Sequence, residues 1–338
     1  MTFNPQIIQD IHEIVLKAEK IIIVSHKSPD GDSLGSSLGL FHFLKKLKLN
    51  VTICHPDRSS YIYKWLEDIK EILIFEDDSD KVLEKISNAD LIFCLDFNAF
   101  DRLGVELGSA VENSKAEKIL IDHHQNPTIN SAHRIWDNTR ASTSELIFDF
   151  IEYSNNLNLL DEKIARYLYL GIMTDTGSFR FQSVTARTHQ IICDLLKTGM
   201  NHTEIHENIY DSNTLDRIKL KSFAIVEKLE IINDFPIGVI TLLKTELKRF
   251  NFQKGDTEGL VNMILSIENI KIAAIFIEND EGIKISFRSK GNYFVNELAY
   301  KYFNGGGHKY AAGGFSNQKM EEAVSKFKEI VCSGFYEK

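Results

Sequence analysis

The chain has 338 residues, 43% of them hydrophobic, and a formal net charge of −9 from 39 basic and 48 acidic residues. That length and apolar fraction suit two soluble domains with ordinary cores. The acidic balance argues against a grip on long nucleic acid, which needs a broad basic face to neutralise phosphates, and no apolar run approaches the ~18–20 residues of a membrane span.

Asn4-Pro5 reads as an N-cap followed by proline in a first helical turn, and Ile7, Ile8, Ile11, Ile14, Val15 and Ala18 then recur at helical spacing. Asp10, Glu13 and Glu19, with no small-residue cleavage site, argue against a leader peptide. The β-branched run Ile21–Val24 reads as a strand and Ser33–Leu47 as a helix; Val51–Cys54, Ile72–Phe75, Leu91–Leu95 and Lys118–Ile121 read as further strands. A charged helical stretch follows Gly104, and helices are expected over Thr143–Tyr153 and Asp161–Met173. This alternation predicts an α/β fold: a mostly parallel sheet flanked by helices, with ligands beyond the carboxyl ends of the strands. From Thr185 the pattern changes to consecutive helices, Thr185–Lys197, His202–Tyr210 and Thr214–Leu229, which reads as a helical connector. A smaller α/β unit follows, with strands over Gly238–Leu243, Ile272–Glu278 and Ile283–Arg288 and a tight turn at Glu281-Gly282. Its helices are expected over Thr257–Ile267, Tyr293–Phe303 and Gln318–Val331. The expected division is 1–187, a linker over 188–228, and 229–338. Cys54, Cys94, Cys193 and Cys332 are scattered without a CxxC pair, which predicts neither disulfides nor structural zinc and suits a reduced, cytoplasmic protein.

Four places put titratable groups at the end of an apolar element: His26 to Asp32, Asp96, Asp122-His123-His124, and Asp175. Each has an ordinary explanation by itself, as a turn, a cap or a helix end. Together they place several carboxylates at one sheet edge, where mutual repulsion and burial are costly unless a cation is shared. His26, Asp30, Asp32, Asp96, His123 and Asp175 supply enough nitrogen and oxygen donors for two divalent ions, with Asp96 able to bridge them. The mixed donor set favours Mn²⁺, with Co²⁺, Fe²⁺ or Zn²⁺ next, over an all-oxygen Mg²⁺ site.

These segments resemble the DHH/DHHA1 phosphoesterase superfamily. The resemblance rests on His26-x-x-Pro29-Asp30-Gly31-Asp32-x-x-Gly35-Ser36, Asp96 with Asp101-Arg102-Leu103-Gly104, Asp122-His123-His124, Gly171-Ile172-x-Thr174-Asp175-Thr176-Gly177, and Gly305-Gly306-Gly307-His308-x-x-Ala311-Ala312-Gly313. It implies an N-terminal DHH metal-binding catalytic domain, a helical linker and a C-terminal DHHA1 substrate-binding domain, with the active-site cleft between them. It implies that His26 and Asp30 hold one ion and Asp32, His123 and Asp175 the other, with Asp96 between. Asp122 would support a neighbouring imidazole, and His124 would face the scissile phosphate. Arg288, Gly305, Gly306, Gly307 and His308 would hold the nucleotide, with Arg102 adding charge near the metals.

The implied activity is that of the stand-alone oligoribonucleases, which degrade very short RNA to mononucleotides and dephosphorylate 3′-phosphoadenosine 5′-phosphate. A phosphodiesterase for cyclic di-AMP or its linear product pApA shares the same motifs and is the alternative. From a different class, a non-catalytic nucleotide-binding regulator would bind without turnover. The expected partners are short oligoribonucleotides or a nucleotide bisphosphate, with no long duplex and no membrane; the family allows a homodimer without requiring one.

Overall fold

In the computed structural model, residues 5–232, 235–333 and 335 are described; Asn4, expected as a helix cap, lies outside them. The chain divides into two units between Ser212 and Asn213.

The first unit opens with α1 (Pro5–Lys17), then β1 (Ile21–Ser25), α2 (Gly31–Lys46), β2 (Val51–His55), β3 (Ile72–Ile74), α3 (Ser79–Ser87), β4 (Leu91–Leu95), α4 (Val105–Asn113), β5 (Glu117–Asp122) and β6 (His133–Trp136). Four helices follow: α5 (Thr143–Tyr153), α6 (Glu162–Asp175), α7 (Ala186–Lys197) and α8 (His202–Tyr210). Every strand pairing in the sheet is parallel, in the order β3-β2-β1-β4-β5-β6. β1 and β4 are buried at every position, as strands covered on both faces must be, and this is why they read as unbroken apolar runs. The strand order reverses between β1 and β4, so the loops leaving them diverge and open a crevice at their carboxyl ends. Helix α2 is buried along nearly its whole length and packs against α6. The close approach depends on glycine: a Cβ on Gly35 would lie 2.5 Å from the Tyr167 carbonyl oxygen and 2.8 Å from the Gly171 nitrogen.

The second unit contains α9 (Leu215–Glu227), β7 (Leu229–Ile232), β8 (Ile237–Leu242), α10 (Lys244–Arg249), α11 (Leu260–Leu265), β9 (Ile272–Glu278), β10 (Ile283–Ser289), α12 (Val295–Tyr302), β11 (Gly306–His308), β12 (Ala311–Ser316) and α13 (Met320–Cys332). Its sheet order is β11-β12-β10-β9-β8-β7, antiparallel except for β8 against β9. The Glu281-Gly282 turn is present, tied by the Asn279 side chain accepting both N–H groups at 2.9 Å. The helix expected over Thr257–Ile267 is confined to Leu260–Leu265. Asp256 caps the preceding turn instead, its carboxylate accepting the Gln253 N–H at 2.7 Å. Gly306–His308, where the sequence gives no strand signal, is a short edge strand; glycines carry no side-chain alternation to mark one.

Candidate metal centre

Each titratable cluster leaves an element at the same edge of the parallel sheet. β1 ends into His26, β4 into Asp96, and β5 into Asp122, His123 and His124; these three strands are neighbours. Asp30 caps α2, its carboxylate accepting the N–H groups of Asp32 and Ser33 at 3.0 Å, so the helix starts at Gly31 and Asp32 falls in its first turn. The capping role and a place in the cluster therefore coexist in one side chain. Asp175 is the last residue of α6.

Asp96 sits in the middle. One oxygen, Oδ2, is 3.4 Å from His26 Nε2; the other, Oδ1, is 3.5 Å from His123 Nε2. His26 Nε2 is also 3.9 Å from Asp30 Oδ1, and His123 Nε2 is 3.4 Å from Asp175 Oδ2 and 4.0 Å from Asp32 Oδ2. Two donor triads, His26–Asp30–Asp96 and Asp32–Asp96–His123, each have ligand atoms within 4.8 Å of one another. The backbone orients both rings. His26 Nδ1 is 2.9 Å from the Lys27 carbonyl, and His123 Nδ1 is 3.2 Å from the Arg140 carbonyl. A ring that donates through Nδ1 presents its lone pair at Nε2, toward the carboxylates. Burial lowers the His123 pKa, which favours the uncharged ring. Donor atoms converging 3.4–3.5 Å apart are spaced as ligands of a shared cation would be, so His26 with Asp96, and His123 with Asp96 and Asp175, would be able to hold one.

The electrostatics point the same way. Asp96 is pushed well above the usual carboxylate range, first by burial and then by the charges of Asp32, Asp30, Asp175 and Asp122. Asp32 is pushed up to about 6 by burial, against the hydrogen bonds from Ser144. Asp96 also adopts φ +65°, a left-handed backbone uncommon outside glycine. Carboxylates crowded like this are costly to keep charged without a cation, and the mixed oxygen and imidazole donors suit a divalent ion.

Sequence patterns did not flag the side chains that hold the cluster in place. The N-terminus of α5 supports two carboxylates. Asp32 Oδ2 accepts the Thr143 N–H at 2.6 Å, Asp32 Oδ1 accepts the Ser144 N–H at 3.0 Å and its hydroxyl at 2.6 Å, and the Thr143 hydroxyl donates to Asp96 at 2.9 Å. Ser142-Thr143-Ser144 looks like ordinary capping sequence, so only the fold reveals the second task. The Arg140 guanidinium, 2.7 Å from buried Asp149, anchors the residue whose carbonyl meets His123. Asp122 Oδ1 accepts the His124 Nδ1–H at 2.8 Å. Burial lowers His124 strongly, with the charges of His123, His26 and Arg102 adding to it. Arg102 itself is exposed, and its carbonyl accepts the Lys27 N–H at 2.7 Å.

In the second unit, Arg288 on β10 and His308 on β11 both pair with Ala311 on β12, one on either side. Directly opposed strand residues share a face, so the two polar side chains stand on one face with a methyl between them. Gly306 and Gly307 belong to the same edge strand, and Gly305 precedes it.

A doubly wound parallel sheet with an acidic and imidazole cluster at its switch point is a candidate divalent-metal site, and the comparisons put it in a phosphoesterase family. The DHH family N-terminal domain matches residues 20–172, and the DHHA1 domain matches residues 237–333. The chain belongs to the DHH phosphoesterase family, in its DHHA1-bearing branch. It is 29% identical over 297 residues to the bifunctional oligoribonuclease and PAP phosphatase NrnA of Bacillus subtilis (strain 168), spanning 87% of this chain and 88% of that protein. An exopolyphosphatase-related protein from Bacteroides fragilis is 36% identical, with a TM-score of 0.93 covering 98% of this chain and 97% of that one. RecJ from Thermus thermophilus, solved with Mn²⁺, shares the fold at 12% identity and a TM-score of 0.57, covering 98% of this chain and 55% of that one. No helix among the described residues is long and apolar enough to cross a membrane.

Proposed function

We propose that the protein hydrolyses short oligoribonucleotides to mononucleotides and converts 3′-phosphoadenosine 5′-phosphate to AMP, using two divalent ions with Mn²⁺ preferred. The observation that carries this reading is Asp96 set between two imidazoles, one on each carboxylate oxygen. His26 and Asp30 would hold one ion, Asp32, His123 and Asp175 the other, and Asp96 both. When bound, such ions supply Lewis-acid polarisation of a phosphoryl oxygen and a more acidic water. The chain's own residues do the rest. Asp122 holds His124 through Nδ1, leaving the Nε2 lone pair to take or return a proton at the scissile phosphate. Thr143 and Ser144 keep Asp96 and Asp32 in place. Arg288, His308 and the Gly305–Gly307 backbone would grip a second phosphate or base, and Arg102 would add positive charge near His124.

The domain roles follow: residues 1–187 catalytic, 188–228 a connector, 229–338 substrate-holding. The name of the Bacillus subtilis relative supports the choice of substrates, and the net charge of −9 supports small ones over long duplexes. A cytoplasmic location fits the scattered cysteines.

The test is a side-by-side panel with Mn²⁺: the bisphosphate nucleotide, RNA of two to ten residues, pApA and cyclic di-AMP. Turnover of the first two, abolished by chelator and by Asp96→Asn together with lost metal content, is the expected result. Exclusive turnover of pApA and cyclic di-AMP would reassign the substrate. Nucleotide binding with no turnover in metal-loaded protein would make the chain a regulator.

A further inference from the structure

The loop between His26 and Asp30 is fixed from outside. Three residues separate the two side chains, and Pro29 has no N–H. The other two N–H groups are both taken by different loops: Lys27 donates to the Arg102 carbonyl at 2.7 Å, and Ser28 donates to Asp57 Oδ1 at 2.6 Å. Ser28 adopts φ +59°, a left-handed conformation an L-serine seldom takes without support. Its own side chain is exposed, so packing does not supply that support. Asp57 does, from the loop after β2, the strand next to β1, and it is only 4% exposed. Asp57 belongs to none of the donor triads among the described residues, so its buried carboxylate has a different task from the cluster carboxylates.

We propose that Asp57 is a positioning residue for the ion held by His26 and Asp30. By holding Ser28 left-handed, it brings the His26 imidazole and the Asp30 carboxylate to the same place. The inference rests on the metal-centre reading above and adds a residue to it. An acceptor is what the task requires: Asn at position 57 retains one, Ala does not. Glycine at position 28 adopts the left-handed backbone without penalty and so replaces the need for the bond.

The experiment has two readouts on full-length protein. Amide hydrogen exchange at Ser28 is followed in metal-free protein, and Mn²⁺ affinity is measured by electron paramagnetic resonance of the free ion. In wild type the Ser28 amide is expected to exchange at least about tenfold more slowly than an unbonded one. Asp57→Ala is expected to release it and to weaken one of two Mn²⁺ sites by about 10–100-fold, leaving the other unchanged. Asp57→Asn is expected to stay within about threefold of wild type, and Ser28→Gly in the Asp57→Ala background to recover most of the loss. Should Asp57→Ala not fold, Ser28→Val tests the same point at an exposed side chain. A β-branched residue resists the left-handed backbone and is expected to weaken the same site. Fast Ser28 exchange in wild type, or full Mn²⁺ affinity in Asp57→Ala or Ser28→Val, would overturn the role of Asp57. A wild-type protein that binds no Mn²⁺ would instead sink the metal-centre reading itself.

Discussion

Asp122 and His124 are joined twice: Oδ1 of the carboxylate accepts the backbone N–H of His124 at 3.2 Å and its ring Nδ1–H at 2.8 Å. The second bond selects the tautomer and fixes the ring plane. Asp122→Ala removes the acceptor of both bonds and lets the ring rotate. We expect kcat to fall about 10–100-fold with KM within about threefold, because the loss falls on an interaction made at the transition state. Asp122→Asn keeps an oxygen toward Nδ1 and is expected to lose less. Steady-state kinetics on the bisphosphate nucleotide check this; a raised KM with unchanged kcat would remove His124 from the chemical step.

The same carboxyl carries a pH signature. Burial pushes Asp122 up from 3.8 to about 6, against the opposing pull of His123 and the backbone N–H groups. The folded state therefore holds a proton that the unfolded chain has already released. The stability tied to this proton is fully present below pH 3.8 and is lost as pH rises through 6. Asp122→Asn is neutral throughout. In metal-free protein its stability relative to wild type should rise by on the order of 2–3 kcal/mol between pH 4 and 7 and stay flat below. Urea unfolding in chelator at four pH values measures the difference. A constant offset across that range would put the Asp122 carboxyl back at its ordinary value.

The carboxylates and imidazoles of the candidate centre were legible because their segments lie at or just beyond the end of an apolar element, where an unpaired charge is costly and therefore informative. The same logic located β1, β4 and β5. It could not find β6, a four-residue edge strand, or β11 and β12, whose Gly306, Gly307, Gly313 and Gly314 give no alternation. Nor could it find Asp57, Arg140, Thr143 or Ser144, because what sets them apart is hydrogen bonds to the cluster and its loops that reach 17–112 residues away in sequence. In sequence they are indistinguishable from turn and cap residues.

Gly171 is a case where the missing side chain matters most. A Cβ there would lie 2.0 Å from the Ser144 hydroxyl and 2.6 Å from Asp32 Oδ1. Both atoms belong to the bond that holds Asp32, at 2.6 Å. Gly171→Ala would have to push α6 from α2 or break that bond. Helix propensity favours alanine, but overpacking of this kind costs about 1–3 kcal/mol. We expect a lowered melting temperature and Mn²⁺ affinity reduced tenfold or more in the protein that remains folded. A folded variant with intact Mn²⁺ affinity would show that Asp32 does not need its present position.

Arg288 and His308 allow a different kind of test, because they lie in the second unit, on a different sheet from the one that carries the carboxylates. They flank Ala311 on adjacent strands, about 10 Å apart from strand spacing alone, on one face. That spacing suits two contacts to one nucleotide rather than two charges on one phosphate. A guanidinium that grips a phosphate away from the reacting bond binds ground state and transition state alike. Arg288→Ala should therefore raise KM by about tenfold or more and leave kcat within about threefold. Arg288→Lys should recover only part of the loss, since an ammonium cannot bind two oxygens in the guanidinium's planar geometry. Mn²⁺ affinity should not change in either variant. Initial rates across a range of dinucleotide and bisphosphate concentrations separate the two constants. An unchanged KM on both substrates would take Arg288 out of the nucleotide-holding surface, and a fall confined to kcat would move it into the chemistry.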